Sequence, residues 1–341
     1  MKSSLFDYNL PKEYIAQKPI KPRDHSKLLI LNRESGKMEH KQFFQIVDEL
    51  NTGDLLIVNE TKVFNARLEA KTASDRNIEI FLLRPDTGNT WRALAKPGKR
   101  IKQEDVITFT DQTKATIQEK CTDGTIRIEL QKTPKEILEW TSTIGQVPIP
   151  PYVEEAPSDA SDYQTVYAKH TGSVAAPTAG FHFTQDLIKT LKEKGIEFAT
   201  ITLHVGMGTF KPLQSETLEE HIMHEEWISI PKETRKQIKE THANGHRVIA
   251  IGTTSVRALE SGIAEGFTNI FIKPGYRFKT IDGMITNFHL PKSTLMVLVS
   301  AFAGEKHKDQ DEGRKMILHA YQEAIANNYR FYSFGDAMFI K

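Results

Sequence analysis

The pattern of apolar residues changes twice along this chain, and that change constrains its fold more than any other feature. Between about residues 68 and 152 the apolar residues fall in short β-like runs at 77–83, 90–95, 105–110, 115–118 and 125–130. Asp86-Thr-Gly88 and Asp123-Gly124 supply hairpin-type turns between them. Strands this short, at this spacing, predict a small all-β barrel or sandwich. A short helix is expected over 134–140, and Pro148-Ile-Pro-Pro-Tyr152 is a stiff connector that suits a domain boundary.

On either side the texture is different. Before the β-rich block we read a strand at 28–32, a helix over 40–50 and a buried strand at 55–58. After it, strands at 196–203, 248–251, 269–272 and 329–334 alternate with helices at 232–244, 293–302 and 311–326. Pro231 starts one of those helices and Gly245 ends it. Such alternation predicts a mainly parallel α/β sheet or barrel that binds ligands at the strand C-termini. The expected layout is a discontinuous α/β catalytic domain, 1–67 plus 152–341, interrupted by an inserted β-barrel domain at 68–151.

Composition narrows the function classes. Lysine and arginine number 45 against 44 acidic residues in 341, so a nucleic-acid partner must use a local patch. One cysteine, Cys121, excludes a disulfide within the chain, a cysteine-rich zinc site and an iron–sulfur cluster. The N-terminus lacks an apolar run of signal-peptide length, and the longest apolar candidate, 294–303, is too short to span a bilayer. A soluble cytoplasmic protein is expected.

Several loops carry chemistry. The stretch from Tyr163 to Thr184 is poor in large aliphatics and rich in hydroxyls, with Thr171, Ser173 and Thr178 beside His170 and His182. It feeds a helix capped by Thr184, and composition admits a ligand loop or a plain surface loop alike. His204-Val-Gly-Met-Gly-Thr-Phe210 follows a strand, and its two glycines suit close backbone approach to a ligand or a tight turn. Gly252-Thr-Thr-Ser-Val-Arg257 joins a strand to a helix, which makes an anion cradle, with Arg257 placed to pair a carboxylate or phosphate. Asn287-Phe-His-Leu-Pro-Lys-Ser293 sets an amide and a histidine before another helix. His221, His224 and Glu225 have a spacing that on a helix would place metal ligands on one face, although polar helix residues fit equally. Lys96, Lys99, Arg100 and Lys102 crowd one turn of the β-rich block and suit a phosphate backbone or a solvated hairpin.

These blocks together resemble one family. Tyr163-Gln-Thr-Val-Tyr-Ala168 and Gly172-Ser-Val-Ala-Ala-Pro-Thr-Ala-Gly-Phe-His-Phe-Thr184 are similar to the signature of S-adenosylmethionine:tRNA ribosyltransferase-isomerases of queuosine biosynthesis. The likeness extends through Leu203-His-Val-Gly-Met-Gly-Thr-Phe210, Ile251-Gly-Thr-Thr-Ser-Val-Arg257 and Ile285-Thr-Asn-Phe-His-Leu-Pro-Lys-Ser-Thr294. It also takes in Gly53-Asp-Leu-Leu-Ile-Val-Asn59 near the start and Tyr329-Arg-Phe-Tyr-Ser-Phe-Gly-Asp-Ala-Met338 near the end. The chain departs from the pattern at Glu60-Thr-Lys62, Asn65, Asp162 and Phe181.

The resemblance implies a distorted, barrel-like α/β main domain with an inserted small all-β barrel. It implies transfer and isomerisation of the ribosyl moiety of S-adenosylmethionine onto 7-aminomethyl-7-deazaguanine at the tRNA wobble position. Epoxyqueuosine-tRNA, adenine and methionine are the products. S-adenosylmethionine is then a cosubstrate, with no prosthetic group and no metal, and the partner is precursor-bearing tRNA, bound by a monomer. Under that reading His182, His204, His289 and Glu225 are the candidate acids and bases. Gln164, Thr165, Tyr167, Ser173, Thr178, Gly206, Gly208, Thr209, Thr253, Thr254, Ser255, Arg257 and Asn287 are the expected substrate contacts, and Lys96, Lys99, Arg100 and Lys102 the tRNA contacts. Phe181, Phe183 or Phe288 would face the sulfonium. Two other classes remain to be weighed: a metal-dependent hydrolase built on His221, His224 and Glu225, and a non-catalytic RNA-binding module.

Overall fold

The computed structural model describes residues 1–150, 152–154, 159–206 and 213–341. The chain divides into two compact units, one of residues 1–61, 151–168 and 177–341, the other of 62–150 and 169–176. The first unit opens with β1 (Lys27–Leu31), β2 (Met38–Gln42), α1 (Ile46–Glu49) and β3 (Leu55–Asn59). Next come β4 (Thr61–Val63), β5 (Arg67–Thr72), β6 (Asn77–Pro85), β7 (Thr90–Lys96), β8 (Val106–Phe109), β9 (Lys114–Lys120), β10 (Ile126–Leu130), α2 (Pro134–Ile144) and β11 (His170–Ser173). The first unit resumes with α3 (Gln185–Glu193), β12 (Glu197–His204), β13 (Glu226–Ser229), α4 (Lys232–Ala243), β14 (Val248–Ile251) and α5 (Thr253–Glu260). It ends with β15 (Glu265–Thr268), β16 (Gly283–Asn287), α6 (Thr294–Gly304), α7 (Glu312–Ala326) and β17 (Ala337–Ile340).

Nine strands of the first unit form one mixed sheet in the order β15-β13-β12-β3-β14-β16-β17-β1-β2. Its centre, β12, β3, β14 and β16, is parallel throughout. Every residue of β3, β14 and β16 is buried, as strands covered on both faces must be. On one side Leu187 and Leu191 of α3 join Phe43, Ile46 and Leu50 over Leu56, Val58, Ile249 and Ile251. Thr184 caps α3 as its sequence position suggests, its Oγ1 accepting from Leu187 N at 3.1 Å. Such strands leave no place for polar side chains except at their ends. Asn59 ends β3 and is fully buried. Its Nδ2 donates to Leu203 O at 2.9 Å, while its Oδ1 accepts from Leu203 N at 3.0 Å and Thr61 N at 3.1 Å. One side chain thus carries the β3–β12 pairing beyond its last backbone partners, Asn59 and Ile201.

In the second unit six antiparallel strands close a barrel in the order β10-β7-β6-β5-β8-β9. Alternation along the strands, broken at Phe81 of β6, puts Leu68, Ile80, Trp91, Ile107, Ile117 and Ile128 inside. Thr133 and Glu136 form a capping box at the start of α2, whose Trp140 packs edge-on to Phe109 at 4.9 Å and donates from Nε1 to Asp111 at 2.7 Å. The α/β class with a small all-β barrel is therefore the architecture of the chain. Among the described residues no helix is long and apolar enough to cross a membrane.

Several local expectations need correction. The helix read over 40–50 begins only after Gln42; residues 38–42 are an edge strand whose half-buried polar side chains hide the period-two pattern. The strand read at 269–272 lies at 265–268, where Gly266 and an exposed Phe267 give little strand signal. The aromatic run 329–334 is not a strand, because its backbone bonds elsewhere: Arg330 N donates to Asp336 Oδ2 at 2.7 Å, and Tyr332 adopts φ 75°. β5, β13 and β16 went unread. Replacing Asn59 by Ala strands the buried Leu203 N–H and C=O and should cost about 2–4 kcal/mol. Urea unfolding checks this, and a variant with the wild-type midpoint would contradict it.

Candidate active site

The C-terminal ends of the four central parallel strands lie side by side and are occupied by Asn59, His204, Ile251 and Asn287. In open α/β sheets this is the edge where ligands bind. Beyond Ile251 the chain turns at Gly252, whose φ of 90° a side chain would strain, and α5 begins. The first N–H groups of that helix have no carbonyl within it to bond, which favours an anionic group there. Thr253, Thr254 and Ser255 are all buried; Ser255 Oγ donates back to Ile251 O at 2.6 Å and so braces the turn.

The small-residue stretch folds across this edge. Thr178 Oγ1 donates to Asn287 Oδ1 at 3.1 Å, and Ala179 lies against Gly252. A Cβ on Gly180 would fall 1.9 Å from the Tyr167 hydroxyl and 2.8 Å from Thr165 Cγ2, so only glycine lets those side chains rest on the backbone. The low aliphatic content of the stretch therefore reflects close packing of polar side chains on main chain. Gln164 O accepts from Arg23 Nη1 at 2.7 Å. Asp162 is buried beside Lys21 at 3.2 Å and Arg23 at 3.6 Å. Two of the expected substrate contacts have a buried polar atom with no hydrogen-bond partner among the described residues: Thr165 Oγ1 and Arg257 Nη2. A buried orphan of this kind costs about 1–3 kcal/mol, which a bound ligand can recover.

The three histidines occupy different environments. His182 is buried and stacks on Phe43, ring centroids 5.0 Å apart. Asn287 Nδ2 donates to its Nε2 at 3.1 Å, so the single proton of the neutral ring sits on Nδ1, facing Ser26 Oγ at 2.7 Å. Burial, helped by Arg330 and Arg23, holds its pKa down to about 3. His289 is likewise buried and pushed down to about 3 by burial, with Nε2 3.2 Å from Thr286 Oγ1 and Nδ1 3.2 Å from the Tyr321 hydroxyl. Its carbonyl accepts from Tyr8. His204 is half-buried at the end of β12, stacked on Trp227 at 5.1 Å, with Nδ1 2.9 Å from Thr61 Oγ1.

Arg257 is 3% exposed and bonds Glu226 Oε2 through Nη1 at 2.5 Å and Ile270 O through Nε at 3.3 Å. Glu226 Oε1 accepts from Gly206 N at 3.3 Å. The sequence reading chose Glu225, which is exposed, and passed over its buried neighbour. The alternation of β13, in which Glu226 and Ile228 share the buried face, was the available signal. The segment 221–225 is not helical, so the shared-face argument for His221, His224 and Glu225 fails. His221 packs edge-on to Phe271 at 5.2 Å, and His224 is exposed. Among the described residues no three His, Cys, Asp or Glu side chains form a metal-holding group. Phe183 and Phe288 are wholly buried among other aromatics, and Phe181 already carries the Arg23 guanidinium at 5.2 Å. Gly208 and Thr209 lie outside the described residues.

The remaining expected contacts belong to the second unit. Ser173 is buried, with Oγ donating to Ala175 O at 2.6 Å. Lys96, Lys99, Arg100 and Lys102 are all exposed on the turn after β7, and Arg100 Nη1 donates to Asn77 O at 2.7 Å. Arg92, by contrast, is engaged by Asp86 at 2.9 Å.

The fold is that of an α/β protein whose buried polar side chains gather at the carboxyl edge of a parallel sheet. The chain belongs to the queuosine biosynthesis protein family, which it matches over residues 3–340. It is similar to a solved S-adenosylmethionine tRNA ribosyltransferase from Thermotoga maritima, with 35% identity, 99% of this chain and 100% of that chain covered, and a TM-score of 0.57.

The buried histidines make acid stability a direct test. Both hold folded-state values near 3 against an ordinary 6.5, so protons prefer the unfolded chain. Their stabilising contribution is complete above the ordinary value and lost as pH falls from it towards the folded value, by about 1.4 kcal/mol per pH unit for each ring. The double variant His182→Gln, His289→Gln should show a shallower loss of unfolding free energy between about pH 6 and about pH 4. A slope equal to wild type would contradict the assignment.

Proposed function

We propose that this chain is an S-adenosylmethionine:tRNA ribosyltransferase-isomerase. It moves the ribosyl moiety of S-adenosylmethionine onto the aminomethyl group of 7-aminomethyl-7-deazaguanine at the tRNA wobble position and isomerises it. Epoxyqueuosine-tRNA, adenine and methionine result. The observation that carries this reading is the family match across residues 3–340, backed by the 35% identical S-adenosylmethionine tRNA ribosyltransferase. We place the reaction in the cytoplasm, on a monomer, with no prosthetic group and no metal.

The chemistry requires a base near the ribose carbon bound to sulfur, and an acid or hydrogen-bond donor for the departing adenine. His204 suits proton transfer best among the expected groups. It stands at the carboxyl edge and is half-buried, whereas His182 and His289 are deeply buried. We assign those two to holding Asn287 and the aromatic wall behind it. Thr165, Tyr167, Thr178, Thr253, Thr254 and Asn287 then line the ribose and amino-acid parts of the cosubstrate. Ala179 and Gly180 let these parts approach main chain, which fits a sugar that must rearrange in place. Neither the hydrolase nor the non-catalytic reading has an observation in its favour.

The exposed cations Lys96, Lys99, Arg100 and Lys102 are assigned to tRNA phosphates, and the unstacked bases of an anticodon loop need no duplex opening. Incubation with S-adenosylmethionine and precursor-bearing tRNA should release adenine in step with the gain in tRNA mass, and a chelator should not change the rate. Adenine release without a change in tRNA mass would contradict the transfer. His204→Gln should lower kcat about 100- to 10,000-fold while leaving the unfolding midpoint near wild type; normal turnover removes it from the mechanism. Reversing Lys99 and Arg100 to Glu should weaken tRNA binding and flatten its salt dependence, and an unchanged salt slope would place the tRNA elsewhere.

A further inference from the structure

We propose that Glu226 is a positioning residue that presents the remaining donor of Arg257 to the carboxylate of an α-amino-acid zwitterion, the methionine end of the cosubstrate. This rests on the proposed function and adds a residue and a ligand group to it. The geometry begins with a buried pair: Arg257 and Glu226 are each 3% exposed and 2.5 Å apart. Glu226 takes only Nη1, and Ile270 O takes Nε, so Nη2 is left buried with no partner among the described residues. A guanidinium so held has one direction in which to accept a further acceptor.

Charge selects the ligand class. The buried pair is neutral as it stands. A phosphate would bring nearly two uncompensated negative charges into that low-dielectric place, whereas an amino-acid zwitterion adds no net charge. Location agrees, because the second carboxylate oxygen of Glu226 accepts from the amide of Gly206, two residues past His204. Glu226 therefore ties the end of β12 to Arg257 on α5, on the edge where the polar residues gather.

The test compares L-methionine with 3-methylthiopropylamine, which lacks the carboxylate, by calorimetry on the full chain, and S-adenosylmethionine with its decarboxylated analogue in the tRNA reaction. Wild type should favour the carboxylate-bearing partner about 10- to 100-fold in each. Glu226→Gln keeps the shape but loses the charge that orients Arg257, and should reduce that preference at least about 10-fold. It should do so through KM for S-adenosylmethionine, with kcat nearly constant and the decarboxylated analogue unaffected. Arg257→Lys should lose the preference likewise. A wild-type chain that binds both small molecules equally overturns the proposal. So does a Glu226→Gln variant that weakens both cosubstrates alike and unfolds earlier, which is the signature of a purely structural pair. If the methionine preference holds but no adenine is released from S-adenosylmethionine with precursor tRNA, the amino-acid site stands and the proposed transferase reaction fails.

Discussion

The structure depends on one constraint: β3, β14 and β16 are buried along their whole length and pair in parallel. Such strands must be apolar, so the chain can spend polar residues only where they end. That sends Asn59, His204, the Gly252 turn and Asn287 to one edge. It also explains why the edge needs so much internal bonding. Asn59 continues the ladder by side chain, Ser255 braces the turn, and Asn287 is held between Thr178 and His182. Asn59, Ser255 and Asn287 are thus each fixed within the protein, and a site proposed on this edge is preorganised to that extent.

Burial then sorts the histidines by task. His182 and His289 came from motifs of the same kind as His204, yet desolvation holds both neutral and hydrogen bonds occupy both nitrogens of each. A ring in that state orients its neighbours well and exchanges protons poorly. His204, half-buried at the strand end and stacked on Trp227, is the less enclosed ring, which suits the proton-transfer role proposed for it. The same distinction separates Glu225, turned to solvent, from Glu226, which faces the interior and Arg257.

Much of this was legible in the residues. Alternating short runs marked the barrel, Thr184 marked the start of α3, and Pro231 with Gly245 bracketed α4. Glycines and hydroxyls after strands marked the ends of β12 and β14, on the carboxyl edge of the sheet. What escaped was set by tertiary contacts. β2, β13 and β15 are edge or near-edge strands with weak apolar signals, so little in their own residues marks them. The run 329–334 has strand composition, but the carboxylate of Asp336 captures its backbone and that of Lys27. The spacing that singles out Glu225 supposes a helix; the residues before β13 are not helical, and Glu226, one position on, takes the buried face.

The central claim is that the cosubstrate lies on the carboxyl edge of the parallel strands. Amide hydrogen exchange with and without saturating S-adenosylmethionine tests it most directly. Binding at that edge should add protection at residues 177–183, 204–206 and 252–257, with the barrel strands β5–β10 unchanged. Protection confined to the barrel, or none at the turn after Ile251, would contradict it.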